Sequence, residues 1–388
     1  MDSGSRSLIA LVVVATTFVA APAAAYVRAD LGLLPDGDTR PTIQSVHLEA
    51  PGRHNELLEA SLVIEASDND GIARYEYRWN SATVGRSGET DAEHPTVSYA
   101  GTRPESRYAL EVRAVDVHNN GSDWFPAWSG TTPSVPHVIV VGDSIASGYT
   151  RQWFTGQATC QDREYSFGRA LTDEIAATLP AVWAPRYTNI AWAGASVGEL
   201  MTGGRDACGV SHPSQVDQIE ALAAGDTWNL VVVTAGINST NWTDVVVALT
   251  VDTAVSVIRR GDRAACESAV MRTWNVADRS RHITERTAEV VDALTTTTNG
   301  RIFWTSYYDI TRTELAPLWQ PIRGSCSNEM GYALDELHSA QRAGLSEDVT
   351  WIDIDKDIAT QFWAGWPHPN SEGHATIGRV VSSEILDG

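Results

Sequence analysis

The apolar run His137-Val138-Ile139-Val140-Val141 breaks into Gly142-Asp143-Ser144-Ile145-Ala146-Ser147-Gly148. That break places Ser144 at the carboxyl end of a candidate parallel strand, the edge where α/β sheets assemble their sites. A serine there is well placed as a nucleophile, provided that a base takes its proton. The same residues also read as a plain strand-to-helix turn capped by Asp143 or Ser144. Two further strand-like runs end in Asn189-Ile190-Ala191-Trp192-Ala193-Gly194-Ala195 and in Thr234-Ala235-Gly236-Ile237-Asn238-Ser239. Of the ten histidines, only His368 has a site-like context, in Trp366-Pro367-His368-Pro369-Asn370 just before a terminal helix. His47, His54, His94 and His118 read as surface residues of the N-terminal half. His137 opens a strand, His212 reads as a loop residue, His282 and His338 as helix-surface residues, and His374 as a packing residue. None shows metal-ligand spacing.

The elements that must position these residues change character along the chain. Between about residues 41 and 130 the apolar period is 2: Tyr75, Tyr77 and Trp79 share one strand face, and Tyr108, Leu110, Val112 and Ala114 share another. Turn clusters such as Asp68-Asn69-Asp70-Gly71 and His118-Asn119-Asn120-Gly121 separate the runs, so a small β-sandwich is expected over 41–130. Asp68, Asp70 and Asp116 could gather around a calcium ion, or simply serve their turns. Thr131 to Pro136 reads as a linker. From His137 to residue 388, apolar runs at 137–141, 187–192, 230–234, 302–305 and 349–353 alternate with helix-length amphipathic stretches. Continuous apolar runs of this kind predict a five-stranded parallel sheet covered by helices on both faces, in the flavodoxin-like order 2-1-3-4-5.

Residues 1–25 combine Arg6, the apolar run Leu8 to Val19 and a small-residue stretch ending at Ala25. This is the layout of a cleavable secretory signal, followed by a linker over 26–40, and it predicts an extracellular protein without a stable membrane anchor. The formal net charge of −21 repels nucleic acid and anionic surfaces, so no nucleic-acid partner is expected. The four cysteines, Cys160, Cys208, Cys266 and Cys326, contain no C-x-x-C pair. Exported chains favour disulfides. Of three possible connectivities we favour Cys160 with Cys208 and Cys266 with Cys326, since sequential pairs would each staple one loop region.

With Ser144, Gly194, Asn238 and His368 in that order, each at a strand end or helix start, residues 137–388 resemble the SGNH (GDSL-type) hydrolases. The ending Trp366 to Asn370 and the stretch Gly236 to Val247 look closest to the secreted actinobacterial lipase and esterase branch. The 41–130 segment resembles fibronectin type III or immunoglobulin-like modules. The resemblance implies an ester hydrolase working through an acyl-enzyme, with Ser144 as nucleophile and His368 as general base. It also implies an oxyanion hole formed by the Ser144 and Gly194 backbone N–H groups and the Asn238 side-chain amide. No cofactor or metal is implied. The expected partner is an ester substrate, either a lipid, a simple acyl ester or an acetylated glycan, and the chain is expected to be a monomer.

Two positions depart from the family's pattern. Most members carry an aspartate three residues before the histidine, where this chain has Gly365. A main-chain carbonyl at Gly365 could orient His368 in a Ser-His dyad, which we favour over recruitment of Asp353 or Asp355; slower turnover is the expected cost. Ser239 stands where an aspartate usually follows the asparagine. Gly194-Ala195-Ser196-Val197-Gly198 also satisfies the G-x-S-x-G elbow of the α/β-hydrolases and offers Ser196 as a rival nucleophile. A non-catalytic reading, in which a degenerate hydrolase fold binds glycans through exposed tryptophans, is the alternative from another class.

Overall fold

In the computed structural model, described residues are 39–49, 57–81, 85–151, 158–223, 228–240, 277–308, 320–354 and 368–387. For residues 150, 151, 277 and 320–330 the backbone alone is described. The signal and most of the first linker expected at 1–40, together with Cys266, Asp355 and Gly365, lie outside this set, as does the side chain of Cys326.

Seven antiparallel strands come first: β1 (Thr42–Leu48), β2 (Glu59–Ser67), β3 (Ile72–Asn80), β4 (Gly85–Asp91), β5 (Thr96–Ser98), β6 (Arg107–Asp116) and β7 (Phe125–Thr131). They form two sheets, ordered β1-β2-β5 and β4-β3-β6-β7. The inward residues of both sheets, among them Leu62, Tyr75, Trp79, Val97, Leu110 and Val112, make one core. The period-2 pattern thus has its physical counterpart in alternate residues of β6 that are buried.

The carboxylates considered for calcium serve turns. Asp68 accepts the N–H groups of Asp70 and Gly71 at 3.0 and 3.1 Å, and Asp116 accepts those of His118 and Asn120 at 2.8 and 2.7 Å. Among the described residues they do not gather within ligating distance of one another.

The second half is a three-layer α/β unit. Its strands are β8 (His137–Gly142), β9 (Arg186–Asn189), β10 (Asn229–Thr234), β11 (Arg301–Thr305) and β12 (Val349–Ile352). All pair in parallel, in the spatial order β9-β8-β10-β11-β12. The chain order 2-1-3-4-5 is the flavodoxin-like arrangement. Val138, Val140, Leu230, Val232 and Phe303 face one side, under α2 (Phe167–Thr178), α6 (Gln320–Ala343) and α7 (Ser371–Asp387). Ile139, Val141, Val231, Val233 and Trp304 face the other, under α3 (Val197–Thr202), α4 (Gln215–Ala223) and α5 (Ala277–Thr297). Burial on both faces is why β8 and β10 are nearly uninterrupted in apolar residues.

The two layers of structure share a seam at the amino-terminal ends of the parallel strands. Trp183 and Trp228, which precede β9 and β10, belong to the core of the antiparallel sheets. Tyr99 lies 5.3 Å from Trp228, the two tryptophans lie 5.4 Å apart, and Trp183 Nε1 donates to Thr102 O at 3.2 Å. The serine edge of the sheet is the opposite one.

Candidate active site

The nucleophile turn is built by backbone constraints. At Gly142 the chain leaves β8 with φ of 135°, and an added Cβ would lie 1.9 Å from Thr234 O. Only glycine fits that approach. Gln215 clamps the same residue on both sides, its Oε1 accepting from Gly142 N at 2.7 Å and its Nε2 donating to Gly142 O at 2.9 Å. Asp143 then caps the one-turn helix α1 (Ser144–Ser147) by accepting the Ile145 N–H at 3.0 Å. Gly148, with φ of 73°, ends that turn in the left-handed region. Ser144 is therefore the first residue of a helix, and its N–H has no acceptor within that helix.

His368 reaches this turn from the start of α7. Its Nε2 lies 2.8 Å from Ser144 Oγ, and its ring packs on Tyr149 with centroids 4.6 Å apart. Gly365 and Asp355, two of the groups considered as partners for His368, fall outside the described residues. Asp353 accepts from Ser306 Oγ at 3.2 Å and lies 3.7 Å from Arg342.

Gly194 follows β9 and carries φ of 96°. The nearest atom to an added Cβ would be Ala207 N at 3.9 Å, so backbone conformation, and not lack of space, is what calls for glycine here. Asn238 follows β10, and its amide donates to Ala195 O at 3.1 Å, leaving its second N–H for another acceptor. Ser239 accepts from Val197 N at 3.1 Å, so the serine at the position of the family's aspartate ties the third block to the second. Ser144, Gly194 and Asn238 thus stand at the carboxyl edges of three adjoining strands.

Ser196, the rival nucleophile, is turned to another task. Its Oγ donates to Glu199 at 2.8 Å while its N–H donates to the same carboxylate at 2.9 Å, which caps α3. The tryptophans imagined as glycan platforms are all at least half-buried among the described residues.

A disulfide joins Cys160 to Cys208, with Cα atoms 6.0 Å apart. It links the segment behind α1 to the loop beside Gly194. At the first end Ser147 Oγ donates to Cys160 O at 3.1 Å, and at the second Ala207 N donates to Ala193 O at 3.0 Å. The same loop carries Asp206, whose carboxylate lies 2.8 Å from His212 Nε2. Burial by itself would raise that carboxyl, but the hydrogen bonds from His212 and from the Val210 and Cys208 N–H groups hold it below its usual range. His212 also stacks on Trp192 at 5.4 Å, a packed position that the loop reading had missed.

Beneath the site lies a polar chain that sequence reasoning missed. Asp143 is fully buried, and burial pushes its carboxyl up to about 7 against the hydrogen bonds from Tyr307 and Ile145. Tyr307 donates its hydroxyl to Asp143 Oδ2 and accepts the Ile237 N–H at 3.2 Å. Its own N–H donates to His338 Nε2 at 3.0 Å. His338 is therefore no surface residue: it lies against the end of β11, and burial lowers it to about 4. Its place on an amphipathic helix gave no sign of this, because the partner is a backbone group from another strand.

Among the described residues, the only three ligand-type groups close enough for a metal are Cys160, Asp206 and Cys208, and the two sulfurs are already bonded to each other.

A doubly covered parallel sheet with a serine and a histidine in contact at its carboxyl edge defines a class of α/β hydrolytic enzymes. The chain belongs to the GDSL-like lipase/acylhydrolase family, whose model matches residues 138–381, and it is a carboxylic ester hydrolase. Solved structures similar to it include an extracellular lipase from Streptomyces rimosus, 16% identical, covering 64% of this chain and 99% of that one with a TM-score of 0.44. A family two carbohydrate esterase from Clostridium thermocellum is 10% identical over 90% of this chain and 89% of that one, with a TM-score of 0.32. A carbohydrate acetylesterase from Sinorhizobium meliloti is 9% identical over 65% and 99%, with a TM-score of 0.37. No curated protein matches the chain.

Proposed function

We propose that this protein is a secreted ester hydrolase that cleaves lipid or simple acyl esters through an acyl-enzyme on Ser144. The observation that carries the reading is the 2.8 Å approach of Ser144 Oγ to His368 Nε2. Ser144 attacks the ester carbonyl carbon as His368 takes the hydroxyl proton. The charge that develops on the carbonyl oxygen is met by the Ser144 and Gly194 N–H groups and the Asn238 amide, which are preorganised donors. Collapse breaks the bond to the alcohol, and His368 returns the proton to the leaving oxygen. Water activated by the same imidazole then attacks the acyl carbon and frees the acid. Orientation of His368 falls to the Gly365 carbonyl in this reading.

The signal layout of residues 1–25 supports export, with a linker over 26–40. The antiparallel region over 41–130 serves as a fibronectin III or immunoglobulin-like module, joined through 131–136 to a catalytic domain over 137–388. The secreted actinobacterial branch, the Cys266–Cys326 bridge and a monomeric state complete the proposal.

Treatment of the oxidised protein with a serine-directed fluorophosphonate, followed by peptide mass spectrometry, tests it. An adduct on Ser144 that disappears in His368→Ala is the expected result. An adduct on Ser196, or none on folded protein, would overturn it.

A further inference from the structure

Two of the groups assigned to the oxyanion hole come from different strands, so something must hold the ends of β8 and β10 in a fixed relation beyond the last ladder pair, Thr234 with Gly142. We propose that Tyr307 is a positioning residue which, through one buried hydroxyl, locks the nucleophile turn to the loop that carries Asn238. The inference rests on the reading of Ser144 and Asn238 given above.

The hydroxyl has two partners, and each is one residue away from an assigned group. Tyr307 Oη donates to Asp143, the residue before Ser144, and accepts from the N–H of Ile237, the residue before Asn238. A hydroxyl offers one donor and can accept in return, so a single oxygen satisfies both sides. Asp143 is held at its other oxygen by the Ile145 N–H at 3.0 Å, which couples the carboxylate directly to α1. The tyrosine itself is immobilised: it is 2% exposed, and its N–H is bonded to His338 at 3.0 Å. Helix α6 adds a second support to the same loop, since Gln341 Nε2 donates to Ala235 O. A buried polar chain specifies geometry better than apolar packing, because sliding a hydrogen-bonded member strands a polar group.

The functional consequence is specific. Loss of the hydroxyl should leave the ring packed and the substrate pocket unaltered, while the donor of Asn238 and the N–H of Ser144 lose their common reference. Turnover should fall and KM should not. The experiment is a double-mutant cycle between Tyr307→Phe and Asn238→Ala, read as kcat, KM and the second-order rate of fluorophosphonate labelling. In the parent background Tyr307→Phe is expected to lower kcat and the labelling rate tenfold or more with KM unchanged. In the Asn238→Ala background the same change should cost less than threefold. Equal losses in both backgrounds, or a loss confined to KM, would overturn the proposal while leaving the nucleophile assignment intact. Absence of Ser144 labelling in the parent overturns both. If Tyr307→Phe does not fold, Asp143→Asn, which removes the charge that the hydroxyl answers, takes its place with the same expected non-additivity, and additive behaviour there counts against the proposal equally.

Discussion

At the scale of single residues, burial governs the charge states around the site. His374 is 1% exposed on α7, and neither ring nitrogen meets a hydrogen-bond partner among the described residues. Burial, and then the neighbouring His368, lower it to about 3, so it stays neutral in the folded chain. An unfolded histidine protonates near 6.5. His374 and His338 therefore contribute stability that is present above about pH 6.5 and lost as pH falls towards their folded values. Asp143 acts in the opposite sense. Its folded value of about 7 lies above the unfolded one, so its contribution is present at low pH and lost as pH rises through 7. Replacing His374 by leucine removes one of these two buried histidines. Between pH 7 and pH 5, thermal or urea unfolding should show about 2 kcal/mol less loss of stability in His374→Leu than in the parent. An identical pH slope in the two proteins would refute this account.

At the scale of elements, the turn from β8 into α1 tolerates little change in its backbone. The sequence around Gly142 announces a strand followed by a tight break, and that much was legible from an apolar run meeting a glycine. What it hides is that β10 passes so close that a methyl group at 142 would overlap Thr234 O. Gly142→Ala is accordingly expected to cost about 3 kcal/mol or more, through strand separation and an unfavourable φ together. Chemical denaturation measures this directly, and a variant within 1 kcal/mol of the parent would contradict the geometry. Gly194 presents the converse case, with room for a side chain but a left-handed backbone. Equal letters in a sequence thus stand for unequal constraints, steric and conformational together at Gly142 and conformational alone at Gly194.

At the scale of the whole molecule, the antiparallel sheets do not trail beside the α/β unit. Trp183 and Trp228 come from the catalytic half yet complete the core of the other half. Removing Trp228 should therefore weaken both. Trp228→Ala is expected to lose about 3–5 kcal/mol and to shift one common unfolding transition, followed by fluorescence and by far-ultraviolet dichroism alike. Two separated transitions would show the seam to be energetically idle. The seam lies at the far edge of the sheet from Ser144, so ester hydrolysis by the folded fraction should be unchanged.

The sequence by itself determined the parts that depend on local pattern. Period 2 marked the antiparallel strands and uninterrupted apolar runs marked a parallel sheet buried on both faces, while the proposed roles of Ser144, Gly194, Asn238 and His368 came from resemblance to a known family and not from periodicity. Local pattern suffices there because strand faces and turn residues are dictated by neighbours along the chain. The tertiary structure alone decided which distant groups meet: Tyr307 between Asp143 and Ile237, Gln215 around Gly142, and His338 against a strand end. Those contacts join residues up to 164 positions apart. No periodicity encodes them, since each depends on a buried donor finding an acceptor that only the packed layers bring within reach.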